Sequence, residues 1–450
     1  MNTKPARGMR DFLPADVRRR EYVIGVIADV YQRYGFEPLE TPAVENIETL
    51  MGKYGEEGDR LIFRILKRGE EGKTGEADLA LRYDLTVPLA RVVAEYRAEL
   101  PKFFKRYQVQ PVWRADRPQK GRFREFYQCD VDAIGSTSMV VEAELLAAAA
   151  EVLSTLKFEA FRLRLNHREL LRDILKATDV SEELHADALV ALDKFDKIGR
   201  EGVCEELIKR GVSSKSADSL AMLVDPLDFA RDVGELNRLR LGRVDELLRS
   251  AGHNSQGLEQ IREILRLSEA TAAGNKLLFD PALARGLSYY TGAVFEANVQ
   301  DLAGSLAGGG RYDDLIGTFL GQKVPACGIS LGLERILVVM TERQMFPASV
   351  GESAADVMVT IWNADQTTDA IRLAGELRAA GLRTDLYPDA DKIGKQFKYA
   401  DSRHIRFVTV VGDDEAARNE VAVKDLVTGR QHVVPRPEVA AFIKDVRATR

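Results

Sequence analysis

Apolar residues first recur at helical spacing in PADVRRREYVIGVIADVYQRYGF. Val23, Ile24, Ile27, Val30, Tyr31 and Tyr34 fall on one stripe there, and Gly35 is placed to end the helix. The two prolines of EPLETPAVE disfavour helix in the residues before them, so the chain runs extended. RLIFRIL and DLALRYDLT have the pattern of short strands, and VPLARVVAEYRAEL that of a helix. KFFKRYQVQPVWRAD and RFREFYQCDVDAIG are strand-like runs around the turn RPQKG, which together predict a hairpin. MVVEAELLAAAAEVLSTL predicts a helix, and FRLRLN a strand of alternating polarity.

From about 168 to 272 nearly every signal is helical (HADALVALDKF, SADSLAMLV, VDELLRSA, LEQIREILRLSEA), the mark of a helical insertion. Strand signals resume in KLLFDPALAR, AVFEANV and the glycine-rich LAGGGRYDDLIG, and PACGISLGLERILVVM turns from extended to helical. MFPASVGESAAD has the composition of a linker, placed at 346–355. Beyond it strand and helix alternate: DVMVTIW, TTDAIRLAGELRAAG, LRTDLY, DKIGKQFKYADSR, IRFVTVVG, then a hairpin in NEVAVKDLVTGRQHVV turning at Thr428-Gly429. The pattern predicts a first domain over 1–345 and a small α/β domain over 356–450.

Composition narrows the chemistry. The 450 residues are enough for two or three domains, and 45% hydrophobic with 30% charged residues is an ordinary globular balance. The net charge of −6 leaves only local nucleic-acid contacts, since a protein coated by nucleic acid is basic overall. Cys129, Cys204 and Cys327 form no CxxC pair and five histidines are scattered, which argues against a structural zinc, a disulfide framework and a histidine metal site. No apolar run approaches the roughly 18 residues of a membrane span, and MNTKPARGMRDFLP has no apolar stretch of a signal peptide. The expectation is a cytoplasmic protein without membrane contact.

Candidate chemistry sits in six stretches. KRGEEGKTGEAD contains GKT, but the phosphate-loop spacing needs glycine where Lys67 stands, so a polar turn between strands is the better account. In the hairpin, residues two apart share a face. Arg122, Arg124, Phe126, Gln128, Asp130 and Asp132 would line one face of the second strand, and Val112 with Arg114 one face of the first. That face runs from guanidinium groups suited to phosphate, past an aromatic stacking surface, to an amide and carboxylates suited to an amine; a solvated salt-bridged hairpin is an equal alternative. In LARGLSYYTGAVFEA, Arg285 has apolar neighbours that draw it toward a cleft, and Tyr289-Tyr290 offer hydroxyl donors and flat walls. GGGRYDD lets backbone come close to a ligand or another strand. In GISLGLERI, Arg335 faces either an anion or solvent. Asp84 and Thr86 of ALRYDLTVPLA either hold an ammonium group or cap the following helix.

Taken together and in this order, the stretches resemble the class II aminoacyl-tRNA synthetases, and closely the histidyl-tRNA synthetase family, over nearly the whole chain. RYGFEPLETP resembles motif 1 of the class, WRADRPQKGRFREFYQCDVD motif 2 and GISLGLERI motif 3. LARGLSYYTG and AGGGRYDDLIG resemble the two signatures peculiar to the histidine enzymes. The resemblance implies an α+β fold: an antiparallel-sheet catalytic domain with a helical insertion, then an α/β anticodon-binding domain. It implies ATP accompanied by Mg²⁺, L-histidine and tRNA(His) as substrates, and a homodimer. Arg114 would hold the α-phosphate, Phe126 stack on adenine and Arg335 clamp the ATP tail. Gln128, Asp84 and Thr86 would bind the amino acid's backbone groups, and Asp132 and Tyr290 its imidazole, with Tyr289 nearby. Arg285 would bridge the substrate carboxylate and the α-phosphate. KIGKQFKYADSRHIR would be the RNA footprint of the second domain, an ordinary amphipathic helix being the alternative.

The pattern departs from the family at Ser288, where many members carry an acid. Asp84 stands where many bacterial members have glutamate. The rival assignments are non-catalytic relatives, either the regulatory subunit of ATP phosphoribosyltransferase or an RNA-binding sensor. Retention of both histidine signatures, the second domain and the three arginines weighs against them.

Overall fold

The structure, a computed structural model, describes residues 3–119, 121–229, 231–284, 289–300, 302, 304–347, 350 and 355–448. Arg285 and Ser288 lie outside the described residues, as does most of the stretch expected to be a linker. The chain divides into two compact units, Met1–Met345 and Phe346–Arg450.

Helix Pro14–Arg33 opens the first unit, with Pro14 at the start where its fixed φ suits a helix and no hydrogen bond is lost. Val23, Ile27, Val30 and Tyr31 form its buried stripe. The helix ends at Tyr34-Gly35, where φ of +75° at Gly35 turns the chain. The strands that follow are β1 (Glu37–Pro38), β2 (Val44–Asn46), β3 (Arg64–Leu66), β4 (Ala77–Leu81), β5 (Phe104–Trp113), β6 (Glu125–Ile134), β7 (Phe161–His167), β8 (Leu277–Phe279), β9 (Ala293–Val299), β10 (Ala307–Arg311) and β11 (Ala326–Gly332). The turn containing GKT, between β3 and β4, holds one short helical segment, Glu70–Lys73.

Eight strands form one sheet in the order β1-β5-β6-β11-β10-β9-β7-β8. The six central strands are antiparallel, and the two edge strands run parallel to their neighbours. Helices Pro14–Arg33, Val140–Thr155, Gln256–Ser268 and Leu333–Glu342 lie against one face. There Tyr31 meets Tyr107 with ring centroids 6.0 Å apart. Cys129, Val131, Cys327, Ile329 and Leu331 are buried on the same side.

The opposite face is polar by alternation, and register aligns it into rows. One row is Gln108, Asp130, Ser330, Gly308, Glu296 and Arg164. The next is Arg106, Asp132, Gly328, Gly310, Val294 and Asn166. The alternating polarity of FRLRLN is therefore real, yet both its faces are buried. Arg164 is held by Asp280 at 2.6 Å, Asp196 at 2.7 Å and Glu296 at 3.4 Å. Asn166 donates to the carbonyls of Pro281 and Leu283.

The insertion is built of helices, four of them opened by side chains that accept a first-turn N–H; His167 takes that of Glu169. Ser213 takes that of Ser216, Asp232 that of Glu235 and Ser255 that of Leu258. HADALVALDKF is helical over His185–Leu192, and its last residue, Phe195, opens the next helix, Phe195–Lys209.

The second unit has strands β12 (Val357–Val359), β13 (Thr384–Leu386), β14 (Phe407–Val410), β15 (Glu420–Asp425) and β16 (Gln431–Pro435), in the order β13-β12-β14-β15-β16. The first three are parallel and the rest antiparallel. Its core joins Val357, Val359, Leu373, Phe407, Val421 and Ile443. Ile443 comes from helix Val439–Ala448, which follows Pro435 and Pro437 and lies beyond the last element the sequence pattern predicts. Among the described residues no helix is long and apolar enough to cross a membrane.

Candidate active site

The polar face of the sheet holds one fully buried arginine between two buried acids. Arg106 is 0% exposed, Asp130 2% and Asp132 3%. Arg106 Nη2 lies 2.8 Å from Asp132 Oδ2 and 4.0 Å from Asp130 Oδ2. Its Nη1 donates to Gln108 Oε1 at 3.0 Å. The Tyr312 hydroxyl, from the loop after β10, donates to Asp132 Oδ1 at 2.5 Å. The Asp132 carboxylate leans over Gly328, where a Cβ would fall 1.9 Å from Oδ1, so only glycine fits there.

Two carboxylates sharing one cation in a dry site cannot both ionise freely. Burial pushes the Asp130 carboxyl up, Arg106 pulls it back and the Asp132 charge raises it again, to about 7. Burial also raises Asp132, against the pull of Arg106 and the Tyr312 hydroxyl.

A third buried acid stands at the end of DLALRYDLT. Asp84, 1% exposed, accepts from the Tyr54 hydroxyl at 3.0 Å and the Tyr289 hydroxyl at 3.2 Å. Asp84 Oδ1 also takes the Val87 N–H at 3.0 Å, in the first turn of helix Thr86–Glu95. Asp84 thus caps the helix and also faces the two tyrosines. Thr86 meets the Tyr289 hydroxyl. Burial raises Asp84, and the Val87 N–H opposes this most strongly. Tyr290 packs edge-on against Tyr289, ring centroids 5.0 Å apart, and burial raises its hydroxyl pKa.

The other end of the hairpin is cationic and aromatic. Arg114, just past β5, donates Nε to the Tyr83 carbonyl at 3.1 Å. Its guanidinium lies 4.3 Å from the centre of the Tyr83 ring and 5.1 Å from that of Phe126. Arg335, in the first turn of helix Leu333–Glu342, donates to the Ser305 carbonyl at 2.6 Å. The neighbouring Glu334 accepts from the Tyr127 N–H and from Arg20 Nη1, each at 3.0 Å. That ties the helix carrying Arg335 to the strand carrying Phe126.

One expectation needs correction. Arg122 and Arg124 do not share the strand face with Phe126, because β6 begins only at Glu125. Arg122 instead pairs with Asp116 at 2.8 Å. Arg124 donates to the Asp116 carbonyl and lies against Gly8.

Gln128, Asp130 and Asp132 do share their face, and register brings Arg106, Gln108, Gln110, Ser330 and Gly308 into it. Tyr54, Tyr312, Ser330, Glu334 and Arg106 were not singled out from the sequence. The polar positions Arg106, Gln108 and Gln110, two apart in an apolar run, were the available signal.

This constellation can be set beside known proteins. The family model described as Histidyl-tRNA synthetase matches residues 8–336, and that described as Anticodon binding domain matches 356–446. The chain is 40% identical to the histidine–tRNA ligase of Flavobacterium johnsoniae, over 96% of this chain and 97% of that one. It is 41% identical to that of Porphyromonas gingivalis, over 95% and 96%.

The chain belongs to the histidyl-tRNA synthetase family.

The crystal structure of the Nostoc sp. PCC 7120 histidyl-tRNA synthetase superposes with a TM-score of 0.84 at 30% identity, covering 99% of this chain and all 100% of that one. A Bacillus halodurans structure described as an ATP phosphoribosyltransferase regulatory subunit/histidyl-tRNA synthetase shares the fold, at TM-score 0.70 and 22% identity. The expected fold class is that of the family: a class II synthetase catalytic domain with an antiparallel sheet, followed by an anticodon-binding domain. Membership makes the chain an aminoacyl-tRNA ligase.

Proposed function

We propose that this family member activates L-histidine with ATP to histidyl-adenylate and pyrophosphate, then transfers the histidyl group to the 3′ end of tRNA(His). The observation that carries the reading is a charge imbalance. Two buried carboxylates, Asp130 and Asp132, share one fully buried arginine, Arg106, and a third buried acid, Asp84, lies near enough to act on both. A ligand bringing an ammonium group and imidazole N–H donors relieves that imbalance, whereas an apolar side chain leaves it in place.

Asp132 and Tyr290 reach the substrate imidazole, with Tyr289 beside them, and Gln128, Asp84 and Thr86 hold the amino acid's backbone groups. Phe126 stacks on adenine, Arg114 binds the α-phosphate and Arg335 clamps the ATP tail. Arg285, outside the described residues, bridges the substrate carboxylate and the α-phosphate. The carboxylate oxygen attacks the α-phosphorus, the bond to the bridging oxygen breaks, and pyrophosphate leaves. Charge builds on phosphoryl oxygens, so arginines held in position, with the Mg²⁺ that travels with ATP, do the work and no protein nucleophile is needed. The terminal ribose hydroxyl of the tRNA then attacks the acyl carbon and AMP departs. The second unit binds the anticodon, and the protein works in the cytoplasm as a homodimer.

The test is amino-acid-dependent ATP–pyrophosphate exchange. Histidine alone among the amino acids should stimulate it, and Arg285→Ala should lower the rate by about 10²-fold or more. No stimulation by any amino acid would leave a non-catalytic relative as the better description.

A further inference from the structure

Gln128 lies on the ligand side of the sheet with its Oε1 buried and without a hydrogen-bond partner. A buried acceptor without a donor is costly, so its orientation needs a cause. An amide can be turned end for end at little cost in shape, and the groups around it decide which end is which. Here they all act on the NH₂ end. Gln128 Nε2 donates to Ser330 Oγ at 3.0 Å and approaches Asp130 Oδ1 at 3.4 Å. Ser330 stands directly opposite Asp130 in the β6–β11 ladder, and its hydroxyl donates to that carboxylate. Above about pH 7, where it is a carboxylate, Asp130 only accepts, so it takes the Ser330 proton and leaves a Ser330 lone pair for the amide. Arg106, 4.0 Å from the far oxygen of Asp130, favours the charged form.

We infer that Asp130 and Ser330 are positioning residues: they fix the Gln128 amide with its oxygen toward the substrate, and so give the site its requirement for an α-ammonium group. Neither touches the reacting atoms. The chain of donors runs one way, from Gln128 to Ser330 to Asp130, and Gln128 Oε1 is left as an acceptor for a substrate N–H. The inference rests on the reading of the site as one for histidine, and it goes beyond that reading by naming what enforces amine selection.

The experiment compares three ligands in the full-length protein. Histidine is followed by its KM in pyrophosphate exchange. Histamine, which keeps the amine and lacks the carboxylate, and imidazolepropionate, which keeps the carboxylate and lacks the amine, are followed as competitive inhibitors. In Ser330→Ala the histidine KM and histamine Ki should rise about tenfold, the scale of one hydrogen bond to a charged group. The imidazolepropionate Ki should stay within about twofold and kcat within about threefold, because the lost contact is one that only the amine makes.

Asp130→Asn should give the same pattern, and Ser330→Thr, which keeps the hydroxyl, should restore the amine preference. Melting temperatures of all three variants separate these effects from loss of folding. Equal weakening of all three ligands, or no change in any, overturns the inference while histidine-dependent exchange by the unaltered protein still stands. Absence of that exchange in the unaltered protein removes the histidine reading, and the inference with it.

Discussion

Two clusters of buried charge lie on the same face of one sheet, and they are built in opposite ways. Around Arg164 the buried cations and anions are matched: Asp280 and Glu296 reach Arg164, Arg240 lies 3.6 Å from Asp280, and the further carboxylate, Asp196, is exposed. Burial lowers the Arg164 pKa, but those carboxylates outweigh it and hold the guanidinium above its ordinary range. Around Arg106 the anions are in excess, the Asp130 carboxyl is pushed up to about 7, and the Gln128 oxygen has no partner. Burial of charge is common to both and so does not mark a binding site. What distinguishes the second cluster is a deficit that a ligand can make good.

That contrast is open to test. The largest effect is expected from Asp280→Ala, which leaves two arginines buried without their shared acceptor. It should cost about 3–5 kcal/mol in denaturant unfolding, with the histidine KM changed less than about threefold. A large KM change at unaltered stability would move the Arg164 cluster into the site. Asp132→Asn should do the reverse. It removes one of two crowded charges, so unfolding stability should hold or rise, while kcat/KM for histidine falls about 100-fold, roughly 2.7 kcal/mol. Loss of stability with intact kinetics would erase the distinction.

The most gradual expected effect is a slope with pH. Asp130 faces Arg106, Asp132 and Asp84, and its folded pKa is raised to about 7 from the ordinary 3.8. Between those values the folded chain keeps a proton that the unfolded chain gives up. This contribution to stability is therefore full below about pH 4 and lost as pH rises through 7. Asparagine does not titrate, so the stability of Asp130→Asn relative to the unaltered protein should increase across that window. The gain should be at most about 1.4 kcal/mol per pH unit and level off above it. A difference that is flat with pH would mean that the acid is ionised throughout.

Much of this was legible in the chain. Helical stripes such as Val23, Ile27 and Val30, and the strand pattern of the hairpin, come from local periodicity and need no distant partner. The hairpin alternation already grouped Phe126, Gln128, Asp130 and Asp132, and β6 bears that grouping. Alternation misled at its edge, because a period of two says nothing about where a strand begins, and Arg122 and Arg124 fall before β6. Helix Val439–Ala448 lies beyond the last predicted element, the hairpin that ends at Val434.

Residue types and their spacing thus decided which side chains could meet an amino acid and a nucleotide, since those depend on neighbours along the chain. Pairing across strands decided the rest. The β6–β11 register puts Ser330 opposite Asp130 and glycine opposite Asp132, and the β5–β6 register puts Arg106 beside the two acids. A pKa, a locked amide and an unmatched charge are properties of groups brought together from distant positions in a dry interior, where each unit of charge must be answered by another. They came into being only when the sheet closed over them.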